Sequence, residues 1–268
     1  MKRLVSLMFH DVYERDPSES GFRGPAANRY KLTVAELEAQ LAGVAVVRPE
    51  GPILVGESRQ RDGGPPAFAI TVDDGGVSYY TRVANRLEAR GWRGHCFITT
   101  SRIGQPGFLD EGQIRELHAR GHLIGSHSVS HPRRFGALRW DDMVREWTES
   151  RAVLADIVGE DVTVASVPGG NFSPRVAQAA RAAGLRVLFT SEPETCVRSV
   201  AGCAVIGRFA VRCGCAPDFA RRLGVLEPFT MRREWLAWNA KKLIKWALGA
   251  AYPHLATGAY GGGDNHAR

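Results

Sequence analysis

Short apolar runs alternate with helical segments along most of the chain, and this alternation constrains the fold more than any other feature. The predicted strands cover residues 4–9, 67–72, 95–100, 122–125, 162–166, 186–190 and 204–210. The predicted helices cover residues 33–46, 78–90, 109–120, 141–157 and 174–183. A strand–helix repeat of this kind predicts a parallel α/β sheet or barrel covered by helices, and it disfavours a sandwich. With 268 residues, the chain could form one α/β barrel or two smaller domains.

The carboxyl-terminal part of the chain differs from the repeat before it. Residues 231–249 predict a single amphipathic helix. Its apolar stripe faces away from a row of lysines and comprises Leu236, Ala240, Leu243, Ile244 and Ala247. We therefore expect an α/β unit over residues 1–229 and a helix over 230–256 that packs on that unit or on a membrane surface. Residues 257–268, which are rich in glycine, predict a flexible tail.

Charge and composition limit the classes of partner and compartment. The formal net charge is +7, but the basic residues are scattered and no nucleic-acid-binding motif is present, so we expect no nucleic-acid partner. The apolar run at residues 4–9 is too short for a signal peptide, which predicts a location in the cytoplasm, either free or peripheral at a membrane. Five cysteines at irregular spacing predict reduced thiols rather than a disulfide framework.

Two pairs of polar residues follow predicted strands and carry the chemistry of a hydrolytic site. Asp73 and Asp74 close the strand at 67–72, and His127 and His131 follow the strand at 122–125. Four-residue spacing would place both imidazoles on one face of a helical turn. Two histidines and one carboxylate form the ligand set of catalytic zinc sites, which keep one position open. The second aspartate would then be free to act as a base. Turn-forming acids and surface histidines are the alternative interpretation.

These segments also resemble a known family. The sequences Thr71-Val72-Asp73-Asp74-Gly75 and Gly125-Ser126-His127-Ser128-Val129-Ser130-His131 resemble the first two motifs of the NodB-homology polysaccharide deacetylases, carbohydrate esterase family four. Residues 166–170, Ser-Val-Pro-Gly-Gly, stand where that family has Arg-x-Pro-x-Gly. The resemblance implies a distorted (β/α) barrel. It also implies metal-dependent removal of an acetyl group from an N-acetylated amino sugar.

The same resemblance implies a role for each matching residue. Asp74, His127 and His131 would bind one divalent metal ion, with Zn²⁺ first and Ni²⁺, Co²⁺ or Fe²⁺ as alternatives. Asp73 would be the general base. The backbone of Gly75 would lie beside the substrate carbonyl. An open loop beside the substrate would comprise Pro168, Gly169, Gly170 and Asn171.

The chain departs from the family pattern at two places. Ser166 replaces the arginine that orients the base, so either another arginine positions Asp73 or the pocket differs. The late histidine motif is missing from the strand at 204–210, whereas the strand at 4–9 ends in His10 and Asp11. That order resembles the circularly permuted branch, which includes poly-N-acetylglucosamine deacetylases. It implies that His10 is the general acid, and that Asp11 either orients His10 or caps the turn.

Three functions are compatible with these residues. The first is deacetylation of an N-acetylated amino sugar, in a glycan or on a lipid-linked precursor, with the carboxyl-terminal helix touching a membrane in the second case. Another is hydrolysis of a different C–N bond, such as that of a formamido sugar. The last is glycan binding without turnover, which the altered Ser166 motif keeps open.

Overall fold

Nine strands form one curled and mostly parallel sheet, in a computed structural model that describes residues 3–56 and 66–248. In chain order the described strands are β1 (Leu4–Phe9), β2 (Val12–Tyr13), β3 (Leu32–Thr33), β4 (Ala67–Val72), β5 (His95–Ile98), β6 (Leu123–Ser126), β7 (Val164–Ser166), β8 (Val187–Phe189), β9 (Arg198–Val200), β10 (Cys203–Ile206) and β11 (Phe209–Ala210). The sheet order is β11-β1-β4-β5-β6-β7-β8-β10-β9, and β2 pairs separately with β3. Only β9 runs antiparallel to its neighbour. The predicted distorted (β/α) barrel is thus confirmed as a curled half-barrel.

The helices lie between the strands, as the alternating pattern predicted. They are α1 (Pro25–Asn28), α2 (Val34–Val47), α3 (Ala84–Glu88), α4 (Glu111–Ala119), α5 (Trp140–Val158), α6 (Pro174–Ala182), α7 (Phe219–Gly224) and α8 (Pro228–Leu248). Thr33 and Glu36 form a reciprocal capping box at the start of α2. The predicted helix over residues 78–90 is irregular, because a π-helical turn at Tyr79–Val83 precedes α3. None of the described helices is both long and apolar enough to cross a membrane.

The pairing of β1 with β4 fixes the part of the fold that matters most for the site. Six residue pairs run in parallel from Leu4 beside Ala67 to Phe9 beside Val72. All six residues of β1 are buried, as expected for a strand covered on both faces. Because the two strands end at the same level, the next residues along each, His10 and Asp73, emerge side by side.

The predicted strand over residues 204–210 is wrong as a single element. It is two strands on opposite sides of the curled sheet, with β10 beside β8 and β11 beside β1. Gly207 and Arg208 carry the chain between them, and the Arg208 N–H donates to the carbonyl of Glu192 at 2.8 Å. A Cβ at position 207 would lie 2.3 Å from that same carbonyl oxygen, so the crossing requires glycine. Apolar residues continue on both sides of the crossing, and a pattern of hydrophobicity alone therefore cannot reveal it.

Helix α8 contacts the rest of the chain through a face other than its predicted apolar stripe. Leu236 and Leu243 are 50% and 66% exposed, so these two stripe residues do not pack on the barrel, which leaves the predicted alternative of a membrane surface open for them. The helix instead turns Glu234, Ala237 and Trp238 toward a cleft in the barrel. The predicted tail at 257–268 lies outside the described residues.

Candidate active site

The carboxyl ends of β1, β4, β6 and β7 open into one cavity of about 400 Å³. This is the edge at which sites form in parallel α/β folds. The five residues that the sequence singled out for metal binding and proton transfer all line this cavity: His10, Asp73, Asp74, His127 and His131. The structure therefore brings together residues that are separated by up to 121 positions in the chain.

Asp74, His127 and His131 form a cluster with the geometry of a metal site. The Asp74 Oδ1 atom lies 3.4 Å from His127 Nε2 and 3.6 Å from His131 Nε2. The three potential ligand atoms all lie within 4.8 Å of one another. Asp74 Oδ1 is buried and has no hydrogen-bond partner among the described residues, which is costly unless a cation fills the gap. A carboxylate and two imidazoles fit a divalent ion such as Zn²⁺.

The backbone around these ligands is strained rather than helical. Residues 127–131 form a loop, so the expectation of a helical turn is wrong. Asp74 and His131 have φ angles of 77° and 55°, in the left-handed region that side chains other than glycine rarely adopt. The Ser128 hydroxyl accepts a hydrogen bond from the His131 N–H at 3.1 Å and so stabilises the turn. Strain of this kind concentrates at functional sites, where the surrounding structure enforces it.

The protonation of the two imidazoles suits them to metal binding. His127 Nδ1 lies 3.0 Å from the Ser166 carbonyl oxygen, which can only accept, so the proton is assigned to Nδ1 and the Nε2 lone pair faces Asp74. Burial lowers the pKa of His131 to about 4, against the opposing effect of Asp74. His131 is therefore neutral at physiological pH.

Arg208 is the functional residue that the sequence did not identify. Its side chain is fully buried, and its two terminal nitrogens donate to the two carboxylate oxygens of Asp73 at 2.7 and 2.8 Å. The guanidinium also donates to the Thr190 carbonyl at 2.9 Å and to the Thr71 hydroxyl at 3.1 Å. Burial alone would raise the pKa of Asp73, but the charge and hydrogen bonds of Arg208 outweigh it and hold that pKa far below its usual value.

Arg208 thus orients Asp73, which is the role of the arginine that the third motif of this chain lacks. The sequence offered one signal, a lone arginine within the apolar stretch that was predicted as one strand. The contact with Asp73 spans 135 residues, however, and no local sequence pattern predicts it. Ser166 itself remains part of the site. Its hydroxyl donates to Asp73 Oδ1 at 3.1 Å and lies 2.5 Å from His127 Nδ1. A small hydroxyl at this position links the carboxylate that Arg208 holds to a metal-ligand imidazole.

His10 lies in the cavity, but Asp11 does not orient it through any described contact. The imidazole packs on the ring of Tyr30, with centroids 4.7 Å apart, and its Nδ1 atom is buried without a hydrogen-bond partner. The Asp11 carboxylate instead accepts hydrogen bonds from the hydroxyls of Ser20 at 2.6 Å and Ser78 at 2.9 Å. Of the two readings of Asp11 left open by the sequence, the structure favours a residue that fixes the local turn.

Most of the predicted loop residues support the cavity without lining it. Gly169 alone among them is a lining residue. Gly75 has a φ of 78°, and a Cβ there would lie 3.1 Å from the backbone of Ile98, so Gly75 serves the turn after the acid pair. Pro168 is buried. A Cβ at Gly170 would lie 3.0 Å from the Trp238 indole, and Asn171 Nδ2 donates to the Arg133 carbonyl at 3.1 Å.

Three aromatic side chains that the sequence did not connect with the site also line the cavity. They are Phe22, Tyr30 and Trp238. The Trp238 Nε1 atom is buried and has no partner among the described residues. Two ion pairs anchor the helix that carries Trp238, between Arg212 and Glu234 at 3.0 Å and between Lys242 and Glu192. Helix α8 therefore forms one wall of the cleft.

Comparison with known proteins agrees with the fold and the motifs. The polysaccharide deacetylase family model matches residues 60–188, a range that includes Asp73, His127 and Ser166 but neither His10 nor Arg208. The Bacillus subtilis protein YxkH is 27% identical over 196 residues, which cover 71% of this chain and 65% of YxkH. A chitin deacetylase of Pestalotiopsis is 27% identical over 134 residues, which cover 48% of this chain and 44% of that enzyme. The chain thus spans less than two thirds of these relatives.

Solved structures share the same architecture. The Streptococcus pyogenes deacetylase PplD has a TM-score of 0.67 at 16% identity, covering 84% of this chain and 99% of PplD. IcaB from Ammonifex degensii has a TM-score of 0.64 at 20% identity, covering 84% of this chain and 98% of IcaB. At these identities the likeness shows the fold alone. The family model matches residues 60–188, and together with the shared fold this match supports a polysaccharide deacetylase domain of the NodB-homology type in this part of the chain.

Proposed function

We propose that this protein is a metal-dependent hydrolase that removes an acetyl group from an N-acetylated amino sugar. One observation carries the proposal: a buried carboxylate, Asp73, is fixed by a bidentate arginine beside a cluster of three metal-ligand side chains. A site that only bound a glycan would gain nothing from this buried ion pair, because removing two charges from water is costly. The names of the relatives, including a chitin deacetylase, support the same reaction class.

The cluster supplies the first requirement of amide hydrolysis. Asp74, His127 and His131 would bind one divalent ion, with Zn²⁺ the first choice for this ligand set. Such an ion supplies Lewis acidity that polarises the amide carbonyl. The Nδ1–H of His127 donates to the Ser166 carbonyl, which fixes the ring orientation that this role requires.

Asp73 is the proposed base that accepts a proton from the attacking water. Arg208 keeps it ionised and fixes its plane, so the carboxylate does not need to reorient as the proton arrives. Oδ1 accepts hydrogen bonds from Arg208 and Ser166, whereas Oδ2 accepts one from Arg208, which leaves a lone pair on Oδ2 for the water. Asp73 is 3% exposed, so bulk water has little access to it except through the cleft.

His10 is the proposed acid that protonates the leaving amine. Its buried Nδ1 has no described partner, and its ring is placed by Tyr30 rather than by a carboxylate. An imidazole can change its protonation state near neutral pH, which a general acid requires. His10 and Asp73 follow the paired ends of β1 and β4, which supports the proposal that they act at one reacting centre.

A sugar ring fits the remaining walls of the cavity. Trp238 and Tyr30 line the cavity, and their aromatic rings are of the kind on which pyranose rings stack. A volume of about 400 Å³ lies within the range of small-molecule sites. A glycan residue or a lipid-linked amino sugar would fit this chemistry.

The test is acetate release from N-acetylglucosamine oligomers by the full-length protein. We expect activity to fall below detection after chelation and to return with Zn²⁺. Asp73→Asn should reduce the rate at least a hundredfold, about the contribution of a positioned base. Asp141→Asn, which changes an exposed carboxylate on α5, is the matched control and should leave the rate unchanged. An Asp73→Asn variant with normal turnover contradicts the proposal. A panel of N-formyl sugars identifies the preferred acyl group.

We also propose that the outer face of α8 contacts a lipid surface, in or near the cytoplasm. Phe229, Leu236 and Leu243 recur every seven residues, so they share one helix face, and they are 72%, 50% and 66% exposed. Arg232 and Arg233 are exposed on the same helix, as expected for binding to anionic headgroups. Sedimentation with anionic vesicles should retain the wild type and lose the Leu236→Glu variant. Equal binding of both contradicts the proposal, and cell fractionation tests the location.

A further inference from the structure

The cleft carries two arginines that the chemistry above does not use. Arg23 and Arg133 line the same cavity as the metal-ligand cluster. Neither has a carboxylate within 4.0 Å among the described residues. The other two arginines of the cavity are both paired, Arg208 with Asp73 and Arg212 with Glu234. Neither arginine has a direct ion-pair partner among the described residues, although Arg23 is near enough to Asp16 to contribute to the lowered pKa of that carboxyl.

The local structure places these two arginines on one side of the site. Arg23 follows Phe22, whose ring packs against His131 with centroids 5.0 Å apart. Arg133 follows His131 by two residues, and its carbonyl is held by Asn171. The contact between Phe22 and His131 thus joins the two segments that carry the arginines.

The two arginines favour a substrate that carries a negative group. Deacetylation converts an uncharged amide into an amine that becomes cationic, and a cation beside two unpaired arginines is repelled. A substrate that carries its own negative group would offset this repulsion. Guanidinium groups bind phosphate and carboxylate oxygens through paired hydrogen bonds, and arginine suits this role better than lysine.

We propose that Arg23 and Arg133 form a subsite for an anionic group attached to, or next to, the N-acetylated sugar. The inference rests on the proposed function and narrows its substrate to an acidic amino-sugar compound. The anionic group would be a phosphate ester or a carboxylate, since both present negatively charged oxygens to the arginines. The first occurs in sugar phosphates and lipid-linked pyrophosphates, and the second occurs in uronic acids.

The test measures binding without turnover, in the Asp73→Asn protein loaded with metal. Calorimetry compares three ligands: N-acetylglucosamine 1-phosphate, a disaccharide of N-acetylglucosamine and glucuronic acid, and neutral di-N-acetylchitobiose. We expect at least one acidic ligand to bind about tenfold more tightly than the neutral one, with an affinity that falls as salt is added. The acidic ligand with the larger gain in affinity over the neutral ligand shows whether the preferred anionic group is a phosphate or a carboxylate.

Substitutions then test whether Arg23 and Arg133 cause the preference for the acidic ligand. Arg23→Gln and Arg133→Gln should each remove most of the preference for the acidic ligand and leave binding of the neutral ligand unchanged. Arg134→Gln is the matched control, because Arg134 is exposed, adjacent in sequence and outside the cavity lining. A preference that survives both cavity variants, or that Arg134→Gln also removes, overturns the proposal. So does equal affinity for all three ligands, or no binding of either acidic ligand.

Failure of the anionic-subsite proposal can be distinguished from failure of the proposed function. Acetate release from neutral chitobiose at the same efficiency as from either acidic substrate, unaffected by Arg23→Gln, would contradict the anionic subsite and leave the deacetylase proposal intact. Selective binding of the acidic ligand by a protein that releases acetate from no substrate would support the subsite and contradict the deacetylase proposal.

Discussion

At the scale of single residues, the site depends on how one buried carboxylate is controlled. Asp73 receives two hydrogen bonds from Arg208 and one from Ser166, and all three side chains are almost fully buried. Where the family pattern has an arginine at the position of Ser166, this chain brings its arginine from the segment between β10 and β11. Asp73 therefore still has an arginine partner, but that arginine comes from a different position in the sequence.

Replacing Arg208 should change how the activity depends on pH. In the Arg208→Met variant, burial would be the main influence on the pKa of Asp73. That pKa should therefore rise. Asp73 would then take up a proton as the pH falls through the mildly acidic range, where the wild-type base is still ionised. We expect a loss of kcat of about a hundredfold and an acid limb shifted to higher pH.

A pH–rate profile of kcat/KM checks this. Arg208→Lys keeps the charge but not the paired geometry, so it should fold better than Arg208→Met and recover part of the rate. Because an unpaired buried charge costs about 3 kcal/mol or more, both variants should first be shown to be folded. A folded Arg208→Met protein with an unshifted acid limb would mean that Arg208 does not control Asp73.

Restoring the residue usual in the family at position 166 should harm this protein. Ser166 is fully buried between Asp73 and His127, and the guanidinium position beside Asp73 is already occupied. Ser166→Arg should therefore lower both thermal stability and acetate release, whereas Ser166→Ala should cost only the hydrogen bonds, about 1 kcal/mol each. Melting temperature and rate measured on both variants test this. An active, stable Ser166→Arg protein would show that the pocket has room for both arginines.

At the scale of elements, the turn after β4 is locked to the loop after β1. The Asp11 carboxylate is wedged between two glycines, so that a Cβ at Gly21 or Gly76 would lie 1.7 or 1.8 Å from one of its oxygens. Lys31 ties the same loop further, because its buried ammonium donates to the Ser20 carbonyl at 2.6 Å. This lock positions the segment that delivers Phe22 to the cleft.

Gly76→Ala should destabilise the protein by about 2 kcal/mol, since overpacking of a closed site costs energy of this order. Adding Asp11→Ala should relieve part of the clash, so the two substitutions are expected to be non-additive. Gly112→Ala, on helix α4, is the control and should be neutral or stabilising. Chemical denaturation of the four variants provides the free energies of unfolding. Strict additivity of Gly76→Ala and Asp11→Ala would show that the two positions do not interact.

At the scale of the whole molecule, some features follow from local sequence and others do not. Most of the buried parallel strands and their order along the chain were predictable, because such strands are continuous apolar runs between glycine-ended helices. The short strands β2, β3 and β9 were not predicted. The convergence of Asp73 with His127 was predictable for the same reason, since both follow strands of one sheet. The break at Gly207, the loop at 127–131 and the partner of Asp73 were not, because each is fixed by contacts distant in sequence.

Buried histidine should make the stability of the fold depend on pH. His95 accepts a hydrogen bond from the Val55 N–H at 3.0 Å, and its Nδ1 lies 3.0 Å from the Ile70 carbonyl oxygen, so the ring is neutral. Burial lowers its pKa to about 4, from 6.5. Between these values the unfolded chain binds the proton and the folded chain does not. Stability should therefore be complete above pH 6.5 and fall as the pH decreases toward 4, by about 3 kcal/mol.

Urea denaturation between pH 7.5 and 4 measures this dependence. His95→Gln should have a smaller slope than the wild type over the same range. Some dependence should remain, because burial also lowers the pKa of His122. Identical slopes in the two proteins would show that His95 does not contribute.

The most direct test of the account is the metal content of the purified protein, measured by elemental analysis on the wild type and on Asp73→Asn and His127→Ala. We predict about one divalent ion per chain in the wild type and in Asp73→Asn, since Asp73 is the base and not a ligand, and almost none in His127→Ala. Full metal content in His127→Ala, or loss of the ion from a folded Asp73→Asn protein, would contradict the assignment of ligands and base on which the proposed reaction depends.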